Sequence, residues 1–87
     1  MITQHAIEGL LDSASIGDVL EVTHVFQGIK VVYQARVRSK ERYPDGRWRI
    51  FFEDGRYLER THWPEDEEGS KGRYRLGAGV VENAKIL

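Results

Sequence analysis

Apolar and polar residues alternate along most of the chain, which is typical of strands with one face in a core and one in solvent. The clearest run lies between Lys30 and Tyr43, where the odd positions from Val31 to Val37 are apolar and the even positions, Val32 excepted, are polar and mostly basic. Further strand-like runs cover residues 19–26, 47–53, 56–62, 73–76 and 80–87. The pattern predicts these core-facing residues: Leu20, Val22, Val31, Tyr33, Ala35, Val37, Trp48, Ile50 and Phe52.

Short turn segments separate the runs, and their composition favours hairpins: Gln27-Gly28, Pro44-Asp45-Gly46 and Asp54-Gly55. The N-terminal part has a different period. Its apolar residues have the spacing of an amphipathic helix over about residues 4–14, with Thr3 as N-cap: Ile7, Leu10, Leu11 and Ala14. The expected fold is therefore mainly β, a small antiparallel barrel or rolled sheet of about five strands with one N-terminal helix.

The length of 87 residues is that of one domain. We divide it into a helix and turn (1–16), a barrel meander (17–63), an acidic loop (64–72) and C-terminal strands (73–87). The chain has no cysteine, which excludes disulfides and cysteine nucleophiles. It has neither the run of about 20 apolar residues that spans a membrane nor a basic-then-apolar leader. We expect a cytoplasmic protein that does not bind membranes.

Charge is balanced overall but separated along the chain. Residues 1–29 carry four acids and no Lys or Arg, residues 30–49 carry seven Lys or Arg against two acids, and residues 53–68 carry seven acids against two Arg. The whole chain has a formal net charge of −1. Such a surface can attract a partner that the net charge alone would not predict.

Three segments carry a family resemblance: Gly17-Asp18-Val19, Tyr33-Gln34-Ala35-Arg36-Val37, and residues 45–55 with Phe52-Glu53-Asp54-Gly55 at their end. With them, residues 17–63 resemble the Tudor-like small barrels of the Src-homology-3 type. The resemblance implies binding of peptides, methylated side chains or nucleic acid rather than catalysis. It also implies a possible aromatic cage for a methylammonium group, formed by Phe26, Tyr33 and Phe52 with Asp54 as the acid. Plain core packing is the alternative for these rings.

The charge pattern predicts a basic face on the second and third strands, with Phe51 as an exposed aromatic anchor among six cations: Arg36, Arg38, Lys40, Arg42, Arg47 and Arg49. In this prediction Arg42 lies near Arg47 and Lys40 near Arg49. Such a face could dock an acidic protein or a second copy of the chain, or follow a phosphate backbone. The alternative is a solvated surface neutralised by nearby acids. The sequence leaves open whether Leu58 or Glu59 is the neighbour of Phe51.

No chemistry-bearing motif stands out elsewhere. The acidic residues 65–68 lack the spacing of a calcium loop, and His5, His24 and His62 are too scattered for a metal signature. We therefore predict no catalytic residue, metal ligand or cofactor. The favoured function is a non-catalytic protein-interaction module, compatible with a homodimer or an accessory inhibitor of phage or mobile-element origin. Nucleic-acid binding through the same face is the first alternative, and a small enzyme with its site at an oligomer interface is the second.

Overall fold

The computed structural model describes residues 7–61 and 74–87. A short helix precedes a closed antiparallel barrel of six strands. The elements are α1 (Leu10–Ser13), β1 (Val19–Phe26), β2 (Ile29–Arg42), β3 (Trp48–Phe52), β4 (Tyr57–Arg60), β5 (Tyr74–Leu76) and β6 (Gly79–Ile86). Each strand pairs with the next, and β6 returns to pair with β1. The predicted mainly β barrel with one N-terminal helix is confirmed, with six strands. The Thr3 cap lies outside the described residues.

The barrel interior is filled by alternate side chains of all six strands, and the helical segment covers one end. The buried apolar residues are Ile7, Leu10, Leu11, Ala14, Leu20, Val22, Val37, Trp48, Ile50, Phe52, Leu58, Tyr74, Leu76, Val81 and Ala84. Burying apolar side chains of this size stabilises a fold by about 1.5–3 kcal/mol each. The period-two pattern therefore identified much of the core correctly.

One predicted core position is wrong, and its location explains why. Val31 is 40% exposed, while Tyr33 and Ala35 are only partly buried against the core. β1 and β2 pair from Val19–Arg36 out to Phe26–Ile29, but β3 joins β2 only from Val37 onward. The part of the β1–β2 hairpin nearest its turn, from Ile29 to Ala35 on β2, therefore has no β3 residue paired beside it.

A bulge in β2 changes which way its second half faces. Val37 pairs with Phe52, but Ser39 pairs with Phe51, so Arg38 is one residue more than β3 can match. One extra residue moves every later side chain to the opposite face of the sheet. Lys40 and Arg42 consequently stand opposite Ile50 and Trp48, on the core side. The prediction that six cations share one outer face is wrong for this reason, as are the predicted neighbours Arg42–Arg47 and Lys40–Arg49.

The reoriented cations hold the helix in place. The Lys40 ammonium donates hydrogen bonds to the backbone oxygens of Leu11 at 2.8 Å and Ala14 at 2.6 Å. Arg42 Nη2 donates to Asp12 Oδ1 at 2.6 Å. The last carbonyls of a helix have no partner within it, and a cation is favourable there. Lys40 and Arg42, which the sequence predicted to bind a partner, therefore hold α1 against the barrel.

Candidate binding site at one end of the barrel

The remaining predicted cations divide into paired and exposed groups. Arg47 Nε lies 3.0 Å from Asp45 Oδ2, and Arg49 Nε lies 3.2 Å from Glu59 Oε2. Arg36 and Arg38 are exposed, and no ion pair with a described carboxylate involves either. Arg36 Nη1 donates to the Gly17 oxygen at 2.7 Å. The continuous basic face is therefore reduced to two outward-facing arginines on β2.

Phe51 lies on the outer face of β3, where aromatic rings and arginines stack. Its partner on β4 is Tyr57, neither Leu58 nor Glu59, with ring centroids 5.3 Å apart. The Arg38 guanidinium lies 6.0 Å from the centre of the Phe51 ring, and that of Arg49 lies 4.8 Å from Tyr57. These cation–π contacts leave Phe51 half-buried rather than a free anchor.

The four predicted cage residues do not form an open cage. Phe52 is fully buried, with its ring centroid 5.5 Å from that of Tyr33 in an edge-on contact. The Arg56 guanidinium lies 5.1 Å from the centre of the Tyr33 ring, where a methylammonium would have to bind. The Tyr33 hydroxyl donates to Asp54 Oδ2 at 2.5 Å. Burial of the phenol, then this bond, raises the pKa of Tyr33 well above its ordinary value, and the same bond lowers the pKa of Asp54.

A pocket of about 310 Å³ opens beside these residues at the same end of the barrel. It lies where the β1–β2 hairpin, the β3–β4 turn and the β5–β6 turn meet. Its lining residues are His24, Phe26, Val31, Arg56, Leu76, Gly77, Ala78 and Gly79. Only Phe26 among them belongs to the predicted site. Pockets of this size are large enough to take a small ligand or a single side chain of a partner.

His24 is the unusual residue of this pocket. It is only 9% exposed, and neither ring nitrogen has a hydrogen-bond partner within the described part of the chain. Burial, and secondarily the charge of Arg56, lowers the pKa of His24. A Cβ at Gly79 would lie 2.4 Å from His24 Nδ1, so β6 passes the imidazole at a distance only glycine permits. A buried polar group without a partner costs about 1–3 kcal/mol.

The edge of β2 that faces away from β1 is unpaired in the part of the hairpin nearest its turn. Val37 N donates to Asp18 O, so odd-numbered residues of β2 direct their backbone groups toward β1 and even-numbered residues direct theirs away. Arg36 O accepts from Glu53 N, at the start of the β3–β4 turn. Beyond it, the N–H and C=O groups of Lys30, Val32 and Gln34 face no strand among the described residues.

Exposed apolar side chains concentrate on the same hairpin. Phe26 is 43% exposed, Ile29 64% and Val32 58%, and Val31 joins them. An unpaired edge beside exposed apolar side chains is a surface on which another chain can pair. The open edge and the pocket together make this end of the barrel the candidate binding site.

No known family model, curated protein or solved structure matches the chain. No cluster of metal-ligating side chains occurs within residues 7–61 and 74–87. Across those ranges no helix has the length and apolar character needed to cross a membrane. The acidic residues 65–68, His5 and His62 lie outside the described residues.

Proposed function

We propose that the protein is a non-catalytic interaction module that binds an extended, acidic segment of a partner protein by strand addition to β2. The open edge carries this proposal. Lys30, Val32 and Gln34 present outward backbone donors and acceptors, and no described strand uses them. An extended peptide can pair with such a row, which supplies affinity through main-chain hydrogen bonds and specificity through alternate side chains.

The side chains around the edge favour an acidic segment. Arg36 follows the open stretch directly, and Arg56 lies in the adjoining β3–β4 turn; no ion pair with a described carboxylate involves either. Lys30 contributes a third cation near the hairpin tip. Its Nζ lies 3.2 Å from Glu82 Oε1 in an exposed ion pair. Exposed ion pairs of this kind are worth little. Acidic side chains of an added strand could pair with these three cations, because three described acids near this edge already have partners: Asp54 accepts from Tyr33, Glu21 from Gln34, and Glu82 pairs with Lys30.

The resemblance to Tudor-like barrels supports a binding function for a barrel of this kind. Nucleic acid is the weaker alternative, because a phosphate backbone requires several free cations in a row. Five of the six predicted cations are engaged with oxygen atoms of this chain: Arg36, Lys40, Arg42, Arg47 and Arg49. We therefore favour the protein partner over the phosphate backbone.

A proline substitution tests the proposal. Peptides of about ten residues are selected from a random display library on the folded chain, and their affinities are measured by calorimetry. Val32→Pro removes the outward N–H and is compatible with an edge strand, whereas Val32→Thr keeps that N–H. We expect enrichment of acidic peptides, about ten-fold weaker binding by Val32→Pro, and unchanged binding by Val32→Thr.

Other results would overturn the proposal. The proposal fails if no peptide is enriched, or if Val32→Pro binds as tightly as the natural chain while remaining folded by thermal denaturation. A dimer that Val32→Pro dissociates would identify the occupant of the edge as a second copy of the chain. Binding of a mixed-sequence oligonucleotide that disappears with added salt would instead favour nucleic acid.

A further inference from the structure

The pocket at the end of the barrel has two chemically different parts. Phe26, Val31, Leu76 and Ala78 give it apolar walls, and the glycines at 77 and 79 line it on the side of the β5–β6 turn. The polar lining residues are Arg56 and His24, and no acidic side chain from residues 7–61 or 74–87 lines the pocket. An anion with an apolar body would therefore find matching surfaces in the pocket, and the nearby Asp54 carboxylate lies outside the lining and is hydrogen-bonded to Tyr33.

Arg56 lines this pocket without a close ion pair to a described carboxylate, while its charge acts on the neighbouring Asp54. Its guanidinium lies 5.1 Å from the centre of the Tyr33 ring, and the hydrogen bond to Asp54 holds that ring in place. Asp54 receives the Tyr33 hydroxyl on one oxygen and the backbone N–H of Arg56 on the other. Stacking on an aromatic face leaves the N–H groups along the edge of a guanidinium free, and those groups match the two oxygens of a carboxylate.

His24 supplies a second, independent indication of a ligand. It is more than nine-tenths buried, and both ring nitrogens are without partners among the described residues. Arg56 is the charged group that acts on it. A neutral imidazole always has one N–H to donate. Both nitrogens are covered by neighbouring atoms, so an anion that displaced those atoms would satisfy a group that the described chain leaves unpaired.

We propose that this pocket binds a carboxylate carried on an apolar body. Arg56 pairs with the carboxylate oxygens, the apolar body packs against Phe26 and Leu76, and His24 donates a hydrogen bond once the ligand displaces the atoms that cover its ring. A peptide C-terminus, an acidic side chain and a free aliphatic acid all present this chemistry. The inference goes beyond strand addition, because the pocket would bind a carboxylate without any added strand, although Arg56 also contributes positive charge beside the open edge.

Hexanoate is the probe, and hexanamide is its uncharged counterpart. Binding is followed by nuclear magnetic resonance shifts of His24 and Gly79 and quantified by calorimetry. We expect hexanoate to bind about ten-fold more tightly than hexanamide, and Arg56→Gln to remove that preference. Arg38→Gln, an exposed arginine outside the pocket, is the matched control and should leave hexanoate binding unchanged. Peptides ending in a free carboxylate, in an amide, or in an amide with an internal Glu then distinguish the sources.

The inference is overturned if hexanoate produces no shifts at millimolar concentration, if hexanamide binds equally well, or if Arg56→Gln binds like the natural chain. Val32→Pro separates this inference from the proposed function. It should leave hexanoate binding intact while it weakens peptide binding. If the natural chain binds hexanoate but enriches no peptide, only the proposed function fails; if it binds peptides at the edge but not hexanoate, only this inference fails.

Discussion

The ammonium of Lys40, in the second half of β2, donates a 2.6 Å hydrogen bond to the backbone oxygen of Ala14, which follows the last residue of α1. A strand residue 26 positions away thus caps the helix. This contact exists only because the bulge at Arg38 turns Lys40 toward the core side. The sequence pattern predicts Lys40 as a surface cation that binds a partner, but in the structure Lys40 binds the end of α1.

Lys40→Met should destabilise the protein. The thioether chain keeps the apolar stem of the side chain but leaves the carbonyls of Leu11 and Ala14 without their donor, which costs about 1–3 kcal/mol. Arg38→Met is the matched control, since Arg38 is exposed on the same strand and loss of its cation–π contact with Phe51 should cost less than about 1 kcal/mol. Urea denaturation measures both free energies of unfolding. Equal values for the two variants would contradict the capping role.

Gly79→Ala should destabilise the protein by about 1–3 kcal/mol, because overpacked sites cost that much. The new Cβ would stand 2.4 Å from His24 Nδ1 and 3.2 Å from the Val25 oxygen. In a His24→Ala background the first contact is gone, so the same substitution should cost less. A double-mutant cycle by urea denaturation should give a coupling of about 1 kcal/mol or more between the two sites. Additive effects would show that the imidazole does not set the need for glycine.

Stability should fall on acidification through the range where histidine titrates. Burial and Arg56 lower the pKa of His24 in the folded state, so the unfolded chain binds a proton that the folded chain does not. The free energy of unfolding is then unaffected above about pH 6.5 and decreases as pH falls below it.

His24→Leu should flatten this decrease between about pH 5 and pH 7.5. Arg56→Gln should reduce it in part, because the charge of Arg56 is the smaller of the two causes. The other two histidines remain in both variants, so the difference from the natural chain reports His24. An unchanged pH profile in His24→Leu would assign the proton uptake to another group.

Tyr33→Phe should raise the pKa of Asp54. The Tyr33 hydroxyl is the main reason that this pKa is low, and the backbone N–H of Arg56 is the next, so the pKa should rise without losing its depression entirely. Carbon-detected resonance titration of the Asp54 carboxyl measures it. Tyr43→Phe, which removes a hydroxyl bonded to Glu41, should leave Asp54 unchanged.

The same pair has a consequence for acid stability. A carboxylate with a lowered pKa stabilises the fold above its ordinary pKa near about pH 4, and this stabilisation is lost as pH falls through the folded-state pKa. The stability difference between the natural chain and Tyr33→Phe should therefore shrink on acidification in that range. A constant difference would show that the hydroxyl acts without the ionised carboxylate.

The barrel could be predicted because its strands obey local rules. Period-two alternation from Val31 to Val37 and turn-forming residues such as Asp54-Gly55 act within a few positions. The bulge could not be predicted in this way. After Val37 every residue up to Arg42 is polar, so the sequence there contains no apolar marker that distinguishes one face from the other. The predicted basic face depended on extending the alternation through this stretch.

The pocket was missed for a different reason. It joins a hairpin, a turn around Arg56 and the glycines at 77 and 79, segments far apart in the chain, and only closure of the barrel brings them together. One signal was available in the sequence. The alternation of Leu20 and Val22 places His24 on the apolar side of β1, and a polar residue in such a position indicates a functional group or an unusual partner.

The open edge also divides the amide protons of β2 into two populations. Those of Val31, Tyr33 and Ala35 point toward β1, whereas those of Lys30, Val32 and Gln34 point outward. Hydrogen exchange along this strand should therefore alternate, slow at odd positions and fast at even ones. Any chain that joins the edge would abolish the alternation, so the strand itself reports whether its second side is occupied.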